Sequence, residues 1–352
     1  MAALATPPLE TGATPSVRGT VRWGVIGYGY WGPNIVRNLH SLTGARLEAV
    51  CDINRLSLRR AAQDYPRLQL TQDAREVLCS PQIDAVAIVT PVWTHFALAK
   101  TALQNGKHIF VEKPLATTSG QAEELVELAE KKHLKLMVDH TFLFTEAVKK
   151  IRQLICNGLL GPLYYYDSMR VNLGMFQHDV NVVWDLAPHD LAIMDYVVRA
   201  RPQAVSATGQ CHVGELEDIA FLTIYFPAHL IAHINVNWLA PVKIRSTLIG
   251  GERRMLVWND LAADEKIKVY DRGVSVRQRQ EVYELLVSYR SGDMWAPHLR
   301  SAEALQCELE YFLECVAENK VPINDGEAGL RVVKILESAT RSLAHGGELV
   351  YL

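Results

Sequence analysis

Three features of the sequence predict a two-part α/β protein: a doubly wound parallel sheet followed by an α+β unit with a mostly antiparallel sheet. Short apolar runs alternate with amphipathic stretches from residue 21 to about 144, the pattern of strands joined by crossover helices. From about residue 145, strand-like runs instead follow one another with few helices between them. The third feature is Gly27-x-Gly29-x-x-Gly32, set between a buried apolar run and an amphipathic one.

Residues 22–26 read as a short buried strand, and Pro33 opens a helix with Ile35, Val36 and Leu39 on one face. The glycines have separate tasks: a tight turn, close approach of backbone to a pyrophosphate, and packing of helix on strand. Pro33 sits in the first helical turn, where its missing N–H costs nothing and the free N–H groups around it can hold an anion. Tyr28, Tyr30 and Trp31 lie between the glycines, either flanking a bound dinucleotide or packing nearby. Residues 47–52 form the second strand, and Asp52 ends it 25 residues beyond Gly27. An acid there accepts hydrogen bonds from a ribose and repels a 2′-phosphate, which favours NAD over NADP; the plainer alternative is a turn or helix-cap residue. Arg55, close by, keeps NADP open.

Asp73-x-x-Glu76 starts a short helix. Residues 84–89 form a strand apolar enough to be buried on both faces, and Thr90 and Pro91 end it at the carboxyl edge, where open α/β sheets bind ligands. Trp93, Thr94 and His95 begin a helix closing near Gly106; His95 either touches the nicotinamide half of a cofactor or is a solvated histidine. The strand 108–112 ends on Glu112-Lys113-Pro114, which sets two polar side chains at the same edge, Pro114 keeping Lys113 out of the helical region. Thr118-x-x-Gln121 opens a helix to about residue 132, and residues 134–142 read as one more strand, with Asp139 and His140 near its end.

In the second half a helix over 146–157 precedes a strand over 163–172, and residues 203–213, 219–226, 230–239 and 245–249 read as further strands. Alternation is clear where Ala232, Ile234, Val236 and Trp238 share one face. Asp185 and His189 share a helical face, four residues apart, and Pro188 is expected in the first turn of that helix. Lys243 and Arg245 alternate onto one strand face, where they meet a diphosphate or simply solvent; Arg170 and Asn172 are similar substrate-binding candidates.

The chain has 352 residues, 49% hydrophobic and 21% charged, with a net charge of −3. That balance fits a soluble protein of two domains and argues against nucleic-acid binding. No apolar run of about 18 residues is present, so no membrane span is expected. Cysteines at 51, 79, 156, 211, 307 and 315 show neither C-x-x-C nor metal-type spacing, pointing to structural thiols in a reduced, cytoplasmic protein without a bound metal. Residues 1–20 read as a flexible leader, 21–144 as a dinucleotide-binding domain and 145–352 as a domain for substrate binding and oligomerisation.

The glycine loop, Asp52, the Thr90-Pro91 edge and the Glu112-Lys113-Pro114 turn together resemble the Gfo/Idh/MocA family, from about residue 21 to the C-terminus. The resemblance implies a Rossmann sheet followed by a large open-faced sheet whose free face carries oligomer contacts, in a homodimer or homotetramer. It implies an NAD-dependent sugar dehydrogenase or ketoreductase, with an Asp-x-x-x-His pair, here Asp185 and His189, facing the nicotinamide. Relatives often carry glycine at the position of Ala187 and paired glycines upstream, where this chain has Val-Asn-Val-Val. His189 is then the general acid/base, Lys113 stabilises alkoxide charge or shares the proton, and Asp185 orients His189 or a substrate hydroxyl. Residues 238–245 with Gly250-Gly251 resemble the family's nucleotide-sugar branch (UDP-N-acetylglucosamine type). Alternatives are an inositol or polyol dehydrogenase and a non-catalytic dinucleotide-binding regulator.

Overall fold

The computed structural model describes residues 19–174, 176–177, 179–278 and 285–352; residues 1–18 of the expected leader lie outside the described residues. Six parallel strands form the first sheet: β1 (Val21–Ile26), β2 (Ala45–Cys51), β3 (Gln69–Thr71), β4 (Ala85–Ile88), β5 (His108–Glu112) and β6 (Leu136–Asp139). Their order is β3-β2-β1-β4-β5-β6, so the winding reverses between β1 and β4. An open α/β sheet binds ligands at that reversal, beyond the carboxyl ends of its strands. Because all six strands run the same way, Gly27, Asp52, Thr90, Lys113 and His140 follow strand ends on one edge.

Helices α1 (Gly32–Ser41), α2 (Arg55–Asp64), α3 (Ala74–Leu78), α4 (Val92–Gln104) and α5 (Ser119–Lys131) make the crossovers. Their starts follow the local chemistry. Pro33 lies in the first turn of α1, the Asp73 carboxylate accepts from Arg75 N, and the Thr118 hydroxyl accepts from Gln121 N. The strand expected over 134–142 is shorter: β6 stops at Asp139, and a 3-10 turn over Thr141–Phe144 follows, which turns Phe142 out of the sheet.

The second half opens with α6 (Glu146–Cys156) and then β7 (Leu163–Leu173), α7 (Val182–Val197), β8 (Ala204–Gln210), β9 (Ile219–Tyr225), β10 (Ile231–Asn237) and β11 (Leu239–Gly251). It continues with β12 (Met255–Asn259), β13 (Ile267–Gln278) and β14 (Leu285–Trp295), and ends with α8 (Ala304–Ala317), α9 (Gly326–Ala344) and β15 (Val350–Tyr351). Nine strands form one sheet in the order β14-β13-β12-β11-β7-β10-β9-β8-β15. Within this sheet, among the described residues, only β7 and β10 pair in parallel. Ala232, Ile234, Val236 and Trp238 turn inward and are buried beneath α7, as their alternation requires. The opposite face exposes Met169, Phe221, Tyr225, Ile231 and Leu248.

Two features depart from expectation. α7 starts at Val182, so Pro188 lies inside the helix rather than in its first turn. Asn181 caps that start through its side-chain oxygen on Trp184 N, while its amide donates to Glu217 and Val182 N donates to Glu217 O. The loop before β9 thus fixes the helix start and overrides the proline preference. The C-terminal helices, moreover, return to the first sheet. Phe312 of α8 packs its ring 4.9 Å from Trp23 and 6.1 Å from Phe110, and Asn324 bonds both ways with Val138 of β6. Phe312→Ala is expected to destabilise the protein by about 3–5 kcal/mol, the range for emptying a buried aromatic site. Urea unfolding of the variant checks this.

Candidate active site

At the end of β1 the backbone leaves no room for side chains. Gly27 sits at φ +103°, and a Cβ there would lie 2.2 Å from Val89 O; a Cβ on Gly32 would lie 2.3 Å from Gly27 O. Gly27 therefore lets the turn press against the end of β4, and Gly32 lets α1 start against the turn. Gly29 differs: a Cβ there meets nothing within 4 Å of protein, so its surroundings are open to a ligand. The first turn of α1 carries no acidic residue and no side-chain cap, leaving its N–H groups and positive dipole end for an anion. These residues fit a dinucleotide pyrophosphate.

Asp52 closes the same loop, accepting from Tyr28 N at 2.7 Å and from Asn54 N at 2.7 Å. It is both the turn residue and an acid fixed beside the loop. Of the three aromatics, Tyr28 is buried in the core, so only its backbone borders the loop; Tyr30 is exposed, and Trp31 Nε1 donates to Asp139 at 3.0 Å. Thr90 is half-buried, its hydroxyl 2.6 Å from that of Thr94, whose hydroxyl also donates to Pro91 O. His95 needs correction. It is 1% exposed, with Nε2 2.7 Å from Thr90 O and Nδ1 2.9 Å from Pro114 O. It pins the β4 and β5 edge turns together from inside and does not face a cofactor.

Lys113 and α7 meet at this edge. Lys113 Nζ donates to the backbone oxygen of Asp185 at 2.7 Å and lies 3.7 Å from Asp185 Oδ1. The other carboxylate oxygen accepts from Trp238 Nε1 at 3.1 Å. One turn further along α7, His189 is half-buried, its Nδ1 sealed from solvent without a partner, its ring edge-on to Phe142 at 5.0 Å. Burial, then the cations of Lys113, Arg170 and Arg245, hold its pKa well below the ordinary histidine value. His189 is therefore a neutral imidazole at neutral pH, able to accept a proton.

Phe142 also carries two guanidiniums, Arg170 Cζ 4.6 Å and Arg245 Cζ 5.4 Å from its ring centre. The two arginines are direct cross-strand neighbours on β7 and β11. Their repulsion is offset by Asp190, 2.5 Å from Arg170, and Asp260, 3.5 Å from Arg245. Arg170 is 4% exposed and committed to Asp190, so it supports the ring under His189 rather than meeting substrate directly. Asn172 lies two residues along β7 and half-buried; Lys243 is exposed, on the stretch where β11 leaves its register with β7. Lys243 and Arg245 therefore do not form the pair that simple alternation gives.

Beneath Lys113 lies an acidic cluster absent from the sequence reading. The Glu112 carboxylate accepts from Lys113 N at 3.0 Å, and burial and nearby Asp139 push its pKa well above the carboxylate range. Glu308 of α8, fully buried and bonded by Asn324, is pushed up in the same way. Nothing local in the α8 sequence marks Glu308, although one acid inside an apolar helix face is a signal. Trp238 could be read as inward-facing but not as a donor to Asp185.

The sequence matches two family models in succession: an oxidoreductase family with an NAD-binding Rossmann fold over residues 21–140, and a GFO/IDH/MocA C-terminal domain over 148–257. The chain belongs to the Gfo/Idh/MocA oxidoreductase family. It is 26% identical, over 89% of its length and 94% of the relative's, to UDP-N-acetylglucosamine 3-dehydrogenase of Acidithiobacillus ferrooxidans. The solved structure of that enzyme superposes with a TM-score of 0.79, covering 93% of this chain and 98% of that one. Identity is 27% to scyllo-inositol 2-dehydrogenase (NAD(+)) of Bacillus subtilis, over 93% of this chain and 95% of that one. The fold is shared, at 19% identity and a TM-score of 0.79, with aldose-aldose oxidoreductase of Caulobacter crescentus, covering 95% of this chain and 100% of that one. The family's dinucleotide-binding domain calls for a nicotinamide dinucleotide cofactor. Among the described residues no helix is long and apolar enough to cross a membrane.

Neighbouring His140 gives a test of this electrostatic picture. It is 2% exposed with neither ring nitrogen bonded, and burial pushes its pKa down to about 4. The unfolded chain takes up this proton near pH 6.5 and the folded one only near 4, so stability falls as pH drops between them, by about 3 kcal/mol in all. His140→Asn is expected to lose less stability than wild type between pH 7 and pH 4.5; paired denaturant curves check it.

Proposed function

We propose that the protein is an NAD-dependent dehydrogenase or ketoreductase acting on a hydroxyl or ketone of a sugar, with a nucleotide-linked sugar as the preferred substrate class. The observation that carries this is the meeting of Lys113, Asp185 and His189 at the carboxyl edge that also holds the glycine loop. The loop, α1 and Asp52 would hold the dinucleotide, and a 2′-phosphate would be repelled by the Asp52 carboxylate, which favours NAD. The nicotinamide would supply hydride acceptance or donation.

This chain's own residues then handle the proton and the charge. In oxidation the neutral His189 takes the hydroxyl proton, and in reduction it returns it. The Lys113 ammonium, fixed by Asp185 O, lies where developing alkoxide charge is stabilised. Asp185 is anchored by Trp238 and keeps Lys113 directed at the site. Arg245, less committed than Arg170, is the cation available to a phosphate-bearing substrate. All six cysteines are free, which supports a reducing, cytoplasmic setting. The apolar open face of the nine-stranded sheet supports a homo-oligomer.

Exposure of Lys243 favours a second reading, a free polyol, because it removes one of the two cations expected for a diphosphate. Thermal-shift measurements with NAD present separate the two: UDP- or dTDP-sugars raise Tm if the first holds, and free inositols if the second does. Lys113→Met and His189→Ala are each expected to lower kcat by about 10²–10⁴ while leaving NAD affinity intact. Steady-state kinetics with binding titrations check this. Full turnover in both variants would refute these roles, and NAD binding without any turnover in the wild type would support the non-catalytic alternative.

A further inference from the structure

A cavity of about 340 Å³ opens beside the C-terminal half of α7, lined by His140, Arg152, Asp195, Arg199, Arg201 and Arg331 among others. Four guanidiniums face a single carboxylate there. Asp195 is already taken, by Arg331 at 2.7 Å and by Arg201 at 2.8 Å. Arg152 and Arg199 have no carboxylate partner among the described residues. Arg152 instead has its Cζ over the Tyr196 ring, 4.3 Å from its centre. A guanidinium held by a ring rather than by a carboxylate keeps N–H groups for a planar or tetrahedral oxyanion.

A plainer account exists for part of this cluster. Arg199 and Arg201 follow the C-terminus of α7, where cations answer the helix dipole, and Arg331 ties α9 to α7. That account does not cover Arg152, which lies over the Tyr196 ring without a carboxylate partner among the described residues.

We propose that this cavity binds the oxyanion group, phosphate or carboxylate, of a small molecule at a site separate from the dinucleotide edge. Tyr196 continues the helical stripe of Asp185 and His189, roughly 10 Å along the axis from His189, and Arg199 follows just past the helix end. The occupant therefore sits against the same helix that carries the active-site pair, without sharing its residues. This inference does not depend on which sugar is the substrate.

The test titrates the full chain, saturated with NAD, with inorganic phosphate and separately with citrate at fixed ionic strength, using calorimetry with chloride as the control. Saturable binding of either anion is expected, and the one bound more tightly identifies the group. In Arg152→Gln/Arg199→Gln the affinity is expected to fall by about tenfold or more while NAD affinity is unchanged. Arg199→Gln alone, a change at an exposed position, serves where the double variant does not fold, with a smaller loss in the same direction. No saturable binding of either anion overturns the proposal. So does binding that survives the substitutions, since it then belongs to the glycine loop or to another surface.

Discussion

The bond from Lys113 Nζ to the backbone oxygen of Asp185, 2.7 Å long, joins the carboxyl end of β5 to the first turns of α7. Each end needs its own half of the fold. Lys113 is placed by a strand buried in the parallel sheet and by Pro114, whose carbonyl is held by His95. Asp185 is placed by a helix that Asn181 and Glu217 start and that Trp238 of the second sheet braces. Pro188 removes the N–H that Trp184 O would take, which loosens the helical ladder next to the carbonyl that Lys113 uses. The core continues across this junction, because α8 and α9 return to pack on the first sheet.

Around that bond the electrostatics separate proton holders from proton acceptors. Glu112 and Glu308, buried beside Asp139, keep their protons at higher pH than ordinary carboxyls. His189, buried beside cations, and His140, lowered by burial against the opposing pull of Asp139 and Asp195, shed theirs at lower pH. A fixed ammonium and a neutral imidazole at one place provide charge stabilisation and a base, the two requirements of reversible alcohol oxidation.

Much of this arrangement was legible in the residues. The parallel half announces itself because central strands such as β4 are apolar on both faces and helices α2, α3 and α5 start on side-chain caps, as at Asp73 and Thr118. Gly27, Lys113 and His189 were legible because a motif or a strand end marks them. What escaped depends on contacts distant in sequence. His95 reads from sequence as cofactor-facing or solvated, whereas the Thr90 and Pro114 carbonyls enclose it. The start of α7 is fixed by a loop 35 residues later, at Glu217, so the local proline rule misplaced it. Lys243 and Arg245 read as partners by alternation, and the register break in β11 separates them. Glu308 reaches the cluster only because the last helices return to the first sheet.

The most direct measurement is the pH dependence of kcat/KM for alcohol oxidation in wild type and in Lys113→Met. A neutral imidazole held below its ordinary value by burial and by the Lys113 cation places the acid limb of wild type below pH 6.5. Removing the cation moves the limb of the remaining activity to higher pH. A wild-type limb at or above 6.5, or a limb that stays in place without Lys113, contradicts the account.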